Sequence, residues 1–176
     1  MIRLALLLAP AVMAAAQAGA QDTFTGPPQA KRGYDLFFQS TKGQPCGACH
    51  AMSGKGTAVG PDLKVISRLP ARGFVAAILA TRTQYVVSAA PVSGDAFPAM
   101  KVKADDKVVE LYDLSKTPPE LRKLEKAEIK SMTDNSTWKH PPAGAGYTNE
   151  ELADIIAYIK YAGYKSTSVI KPEDLE

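Results

Sequence analysis

The pentapeptide Cys46-Gly47-Ala48-Cys49-His50 constrains the fold of this chain more than any other feature. Two thiols separated by two residues can each form a thioether with one porphyrin, and the adjacent histidine then lies at the iron. The chain has only two cysteines, so the motif uses both. The spacing therefore predicts that Cys46 and Cys49 attach one haem c covalently, with His50 as the proximal iron ligand.

Three other interpretations compete for the two cysteines. A thioredoxin-like dithiol needs a strand before the motif and a helix after it, whereas residues 39–45 are rich in turn-forming residues. Structural zinc sites usually pair closely spaced histidines, and the two histidines here stand far apart, at positions 50 and 140. A plain disulfide is the third alternative. Either a zinc site or a disulfide would make the chain a non-redox interaction module.

The N-terminus predicts export. A short basic start precedes an apolar run from Leu4 to Ala16, and Ala18-Gly19-Ala20 has the small-residue pattern of a cleavage site. The run is too short for a membrane span, and no later segment reaches the necessary length. We expect residues 1–20 to be a signal peptide and the mature protein to be soluble and periplasmic or otherwise exported.

The remaining residues are enough for one domain, which we place at residues 21–163, followed by a polar, frayed tail at 164–176. The formal net charge is only +3, and the chain contains neither a basic run nor a recognition motif for nucleic acid. Nucleic acid is therefore excluded as the expected partner.

Helical spacing of apolar residues is clearest near the two ends of the mature chain. Pro28 suits a first helical turn, and Thr148 with Glu151 forms a capping box. The predicted helices run from Pro28 to about Gln39, from Leu69 or Pro70 to about Ala80, and from the cap Thr148 to about Gly163. Between them, residues 99–114 flank an acidic turn and predict a β-hairpin, whereas residues 120–132 are expected to be irregular with helical turns.

The order of these motifs resembles a class I cytochrome c. That family has a helix with a glycine and an aromatic residue, then C-x-x-C-H, then a G-P-x-L loop, and finally a C-terminal helix. The corresponding pieces here are Gly33 with Phe37, Cys46 to His50, Gly60-Pro61-Asp62-Leu63, and Tyr147 to Gly163. The resemblance implies a mainly α fold around one haem, in which the Pro61 carbonyl accepts the Nδ1–H of His50.

Residues 82–139 are more than a small cytochrome requires. With the predicted hairpin, they resemble an insertion found in larger haem c domains, often beside quinoprotein dehydrogenases. This second resemblance depends on residues 108–115 and 138–141. It implies a small β-hairpin inserted before the distal ligand.

The distal ligand of the family is usually a methionine followed by proline, shortly before the C-terminal helix. In this chain His140 occupies that position, and no methionine follows Met132. The resemblance therefore implies bis-histidine ligation by His50 and His140. The rival distal ligand is Met100, and Met132 is a weaker rival. A surface histidine without a role is the alternative for His140.

Two further sets of residues have open interpretations. Trp138 is expected to pack on the haem edge or to bind a propionate, with plain core packing as the alternative. Lys42, Lys55 and Lys64 flank the attachment motif and suit a docking ring, although ordinary solvated lysines are the default.

These features predict a one-electron carrier rather than an enzyme. Two protein ligands occupy both axial positions of the iron. Two histidines should give a lower reduction potential than histidine with methionine. The alternative is a haem enzyme or sensor for peroxide or a small ligand, in which His140 dissociates. The expected partner is a redox protein, with a quinoprotein dehydrogenase as donor and a terminal oxidase or reductase as acceptor.

Overall fold

The computed structural model of the chain describes residues 24–39, 42, 44–79, 85–138 and 146–176. The predicted signal peptide at residues 1–20 lies outside them. The helices and strands, in chain order, are α1 (Pro28–Gln39), α2 (Ala71–Leu79), β1 (Val86–Pro91), β2 (Phe97–Ala104), β3 (Val108–Asp113), β4 (Glu120–Glu125), β5 (Ile129–Asp134) and α3 (Asn149–Tyr164). None of the helices in these ranges is long and apolar enough to cross a membrane.

Helices α1 and α3 cross at very close range. Gly33 makes this possible, because a Cβ at that position would lie only 1.8 Å from the backbone oxygen of Asp154. Beside the crossing, Arg32 donates from Nε and Nη2 to the Asp154 carboxylate at 2.7 and 2.8 Å. The glycine predicted at a helix approach is therefore the crossing point of the two terminal helices.

Around this crossing lies the larger of two clusters of buried side chains. It includes fully buried residues from all three helices, namely Phe37, Phe74 and Ile156. The C-terminal residues join it, since Ile170 and Leu175 are buried and Gln29 makes two hydrogen bonds to the backbone of Ile170. The prediction of a frayed tail is therefore wrong, because apolar residues fix it to the helical region.

Helix α3 begins as predicted and ends slightly later. The Thr148 hydroxyl accepts from the Glu151 backbone N–H, and the Glu151 side chain accepts from the Thr148 N–H, which completes the capping box. Gly163 is not the stop. Lys165 ends the helix instead, in a left-handed conformation with φ of 63°.

The middle of the chain forms an antiparallel sheet of five strands, in the order β4-β3-β2-β1-β5. The predicted hairpin is confirmed as β2 and β3. The expectation of a mainly α fold with a small hairpin insertion is only partly supported, because a sheet of five strands accompanies α1, α2 and α3. Residues 120–132 are strand β4, a 3₁₀ turn and most of β5, and β1 pairs between β2 and β5. These strands have weak local patterns and are fixed by pairing with distant partners.

The sheet curls strongly. Its two edge strands, β4 and β5, are separated along the chain only by Lys126–Glu128. A flat sheet of five strands would hold its edges about 19 Å apart, whereas such a link reaches at most about 14 Å. The curled sheet surrounds the second cluster of buried side chains, which consists of Ala89, Phe97, Ala99, Val109 and Leu111.

Candidate haem-attachment site

The two cysteines lie in a tight turn between α1 and the Gly60-Pro61-Asp62-Leu63 loop. Cys46–Ala48 form a single 3₁₀ turn, and the backbone N–H groups of Cys49 and His50 both donate to the Cys46 carbonyl, at 3.1 and 2.9 Å. The thiols are not joined in a disulfide. Both cysteines and the histidine are therefore brought together by one local turn, as the motif predicts.

His50 is held by the second motif of the sequence. Its Nδ1 lies 2.8 Å from the Pro61 carbonyl oxygen. A carbonyl can only accept, so Nδ1 carries the proton and Nε2 is the nitrogen whose lone pair can bind a metal. The expected contact between Pro61 and His50 is present in the structure.

Gly60 allows the Pro61 loop to lie against the imidazole ring. A Cβ at position 60 would be 2.5 Å from His50 Cε1, so only glycine fits there without a shift. The Gly60 N–H also donates to the Cys49 carbonyl at 2.7 Å, which ties the loop to the attachment turn. Sequence analysis matched Gly60 to the family motif but did not find this reason for it.

The surroundings of the thiols favour attachment over thiol chemistry. Burial raises the pKa of Cys46 to about 11, and burial also raises the pKa of Cys49. Reactive dithiols and zinc-binding cysteines need the thiolate, which this environment disfavours at neutral pH. In the described part of the chain, no group of three or more candidate ligand side chains could hold a metal ion. The raised pKa values of the two thiols therefore give no support to the dithiol or to the zinc site.

A family model decides what this arrangement belongs to. The family model described as "Cytochrome c" matches residues 30–163, which is well over half of the chain and includes the cysteine turn, the Pro61 loop and all but the last residue of α3. The chain is a member of the cytochrome c family. No curated protein is similar enough to it to match.

Membership in the family implies covalently bound haem c with its iron, and a role in haem-based electron transfer. The residues of this cytochrome fit that cofactor. Its two thiols are unbridged, the Nε2 atom of His50 is available to bind a metal, and a carbonyl fixes the orientation of the His50 ring. The predicted cofactor is therefore confirmed at the level of the family.

The structure locates only some of the candidate distal residues. His140 lies outside the described residues. Trp138 is half-buried just after β5, and its backbone N–H donates to the Asn135 side chain at 2.9 Å. The expected roles of its indole, packing on the haem edge or binding a propionate, stay predictions.

The methionines of the cytochrome differ in their surroundings. Met52 is buried in the helical cluster, and Met132 packs against the cluster inside the curled sheet. Met100 lies in β2 between Val86 and Tyr112, on the face opposite to that cluster. Packing accounts for Met132, whereas Met100 keeps its place as the rival ligand.

Two of the three lysines flanking the motif are held by neighbouring side chains. Lys42 is ion-paired with Glu151 at 2.8 Å. The ammonium of Lys55 lies over the rings of Tyr34 and Phe38. Only Lys64 matches the default expectation of an exposed, solvated lysine.

Proposed function

We propose that this cytochrome is an exported class I carrier of single electrons, with its haem attached through Cys46 and Cys49. The haem supplies the one-electron couple. The burial that raises the pKa values of both thiols supports this attachment, because it suits a thioether better than a thiolate. The signal-like segment at residues 1–20 supports export, since c-type haem is attached outside the cytoplasm.

His50 is the proximal ligand, and one contact carries this assignment. The hydrogen bond from His50 Nδ1 to the Pro61 carbonyl fixes the tautomer, orients the ring and makes Nε2 more basic. Gly60 keeps the loop against the ring, so the histidine does not need to reorganise when the charge on the iron changes. A rigid ligand favours rapid electron transfer.

His140 is the proposed distal ligand. It follows Trp138 in the segment before α3, where the family usually has its methionine. Met132 is occupied in the sheet cluster, which leaves Met100 as the rival. With histidine on both sides of the iron, the reduction potential should lie below that of a His/Met cytochrome.

The partners are proposed to be redox proteins. Two protein ligands leave no open position, so electrons pass through the haem edge without a bound substrate. A quinoprotein dehydrogenase is the proposed donor, by the resemblance of the insertion, and a terminal oxidase or reductase is the proposed acceptor.

The ferric absorption spectrum of single variants tests the ligand assignment. His140→Ala should convert a low-spin haem to a high-spin or water-ligated one, whereas Met100→Ala and Met132→Ala should leave the spectrum unchanged. His140→Met should raise the midpoint potential. A spectrum altered by Met100→Ala and not by His140→Ala would assign the distal position to Met100. Fast peroxide turnover by the unmodified protein would favour the enzyme over the carrier.

A further inference from the structure

The segment that leads from Pro61 towards α2 exposes apolar side chains to solvent. Val65 is 82% exposed, the highest fraction among the large apolar side chains of the described residues, and Leu69 is 38% exposed. Single apolar side chains are common on protein surfaces. The exposure of Val65 therefore has meaning only together with the backbone that holds it, the charges that flank it and its distance from the candidate haem site.

Helix α3 holds the backbone of this segment in place. The buried ammonium of Lys160 donates to the carbonyl oxygens of Ser67 and Leu69. Ser67 is buried against Gly163, where a Cβ would lie 2.3 Å from the Ser67 Oγ. The backbone that carries Val65 is therefore ordered before any partner binds, which lowers the entropic cost of binding there.

Basic side chains flank the exposed valine. Lys64 and Arg68 are both exposed, and neither forms an ion pair within the part of the chain that the structure describes. The Arg68 guanidinium lies 5.4 Å from the ring centroid of Tyr164. The acidic residue of the segment, Asp62, accepts from the backbone N–H of Lys64 at 2.8 Å. Two cations against one carboxylate leave an excess of positive charge, whose complement is an acidic surface.

The neighbouring charges do not reverse this excess. Arg72 donates to the carbonyl oxygen of Glu176 at 3.5 Å, so we count it with the acidic C-terminal residue and not with the segment. Lys160 adds a third cation within hydrogen-bond reach of the segment's backbone.

The segment adjoins both parts of the candidate haem site. Pro61 is exposed, and its carbonyl accepts from His50 Nδ1 at 2.8 Å. The N–H of the preceding Gly60 donates to the Cys49 carbonyl at 2.7 Å. Val65 stands four residues after Pro61, and such a stretch of chain spans at most about 14 Å. A partner seated on Val65 would therefore lie close to the proximal side of the site.

We propose that residues 61–69, the proximal-loop surface, dock an acidic redox protein that gives one electron to the haem. The inference rests on the proposed function of the protein as a carrier. An apolar centre of Val65 and Leu69 with a basic rim of Lys64 and Arg68 has the composition of a protein interface, and the rim steers the approach of the partner. The partner's one-electron group is oxidised while iron(III) is reduced to iron(II), and no bond forms or breaks. Electron-transfer complexes have small interfaces, so one segment can form the centre of such a contact.

Strand β2 offers a matched control for this surface. Val102 is 49% exposed and stands between Lys101 and Lys103 in the sequence, so the residue types are the same. Lys103 is paired with Glu110 at 3.3 Å, whereas Lys101 is exposed. Lys101→Glu changes the net charge of the protein by the same amount as Lys64→Glu. The pair therefore separates a local docking effect from an effect of net charge.

The test is the second-order rate constant for reduction of the ferric haem protein by a chemically reduced plant-type ferredoxin, a small acidic redox protein, in stopped flow. Lys64→Glu should lower the rate constant at least about fivefold at low salt, and the loss should shrink at high salt. Val65→Ser should lower it at every salt concentration. Lys101→Glu and Val102→Ser should have much smaller effects. Equal reductions by Lys64→Glu and Lys101→Glu would overturn the inference, because net charge alone would then explain them.

A second measurement locates the contact without any substitution. Carbodiimide cross-linking of the unmodified protein to oxidised ferredoxin, followed by peptide mapping, should join the partner's carboxylates to Lys64 in preference to Lys101. Equal cross-linking of the two lysines would contradict docking at the proximal-loop surface. The midpoint potential of each variant is measured alongside, so that a changed driving force is separated from a changed contact.

Failure of the proposed function gives a different result. The unmodified protein would then carry no covalent haem, or a haem that reduced ferredoxin does not reduce at any salt concentration. Failure of the docking inference alone would leave the unmodified protein reducible, with equal rate constants for the Lys64→Glu and Lys101→Glu variants.

Discussion

The helical region and the curled sheet of this cytochrome are built around separate clusters of buried side chains. The helical cluster joins α1, α2, α3 and the C-terminal residues, and the cysteine turn packs against it. The sheet cluster lies within the strands and contains none of the residues of the attachment motif. The difference indicates that the attachment turn is supported by the helical cluster, while the described strands pack around a cluster of their own.

Adding a methyl group at the crossing of α1 and α3 should lower the unfolding free energy more than adding one anywhere else in the protein. Gly33→Ala would place a Cβ 1.8 Å from the backbone oxygen of Asp154, so the backbone of one helix must move. We expect a loss of at least about 4 kcal/mol of unfolding free energy, measured by denaturant titration, together with poor haem incorporation.

Gly73→Ala in α2 is the matched control for that change. Its nearest neighbour to a Cβ would be 3.6 Å away, an ordinary contact. Alanine there should be neutral or stabilise the protein by up to about 1 kcal/mol, because it favours the helix. If Gly33→Ala were as harmless as Gly73→Ala, the crossing would not hold the helical region together.

Separate packing of the two regions can be tested with two fully buried residues. Leu111 lies in the sheet cluster and Ile156 in the helical cluster, and each is 0% exposed. Replacing either residue with alanine should lower the unfolding free energy of its own region by about 2–5 kcal/mol. In amide hydrogen exchange, Leu111→Ala should accelerate exchange in the strands and spare α1 and α3, and Ile156→Ala should do the reverse. Uniform acceleration in either variant would show one cooperative unit.

The smallest predicted effect compares one carboxylate from each region. The Lys42 ammonium and the Thr148 N–H lower the pKa of Glu151, whereas the backbone N–H groups of Val108 and Lys107 lower the pKa of Asp105. A carboxyl group whose pKa is lowered in the folded protein stabilises the fold at pH values above its ordinary pKa. This stabilisation is lost as the pH falls through the pKa of the folded state. The capping of α3 should therefore weaken only below about pH 4.5, the ordinary value of Glu151.

Carboxyl NMR titration of Lys42→Ala checks this assignment of causes. The pKa of Glu151 should rise in the variant, because its largest stabilising contact is gone, while that of Asp105 should not change. An unchanged Glu151 would mean that the capping N–H alone holds its pKa low.

The helical region could be predicted from sequence because its signals are local. Pro28 begins α1, and the pair Thr148 and Glu151 fixes the start of α3 from residues within one turn of each other. Strands β1, β4 and β5 could not be predicted in the same way. Strand β4 alternates weakly and exposes Leu121, and it becomes a strand only by pairing with β3.

The candidate site divides in a similar manner. Cys46, Cys49 and His50 are one turn of chain, and their spacing determines their geometry. The contact between His50 and Pro61 could be expected only through the family resemblance. The contact of the Lys55 ammonium with the rings of Tyr34 and Phe38 could not be predicted, because only the fold brings this loop lysine close to two residues of α1.

Intact mass of the exported protein, expressed with a haem-maturation system, tests the central claim most directly. The account predicts one covalently bound haem that survives denaturation, and a chain that begins at Gln21. Replacing both Cys46 and Cys49 with alanine should abolish that added mass. A haem-free mass for the unmodified chain, with both thiols open to alkylation after unfolding, would contradict the account.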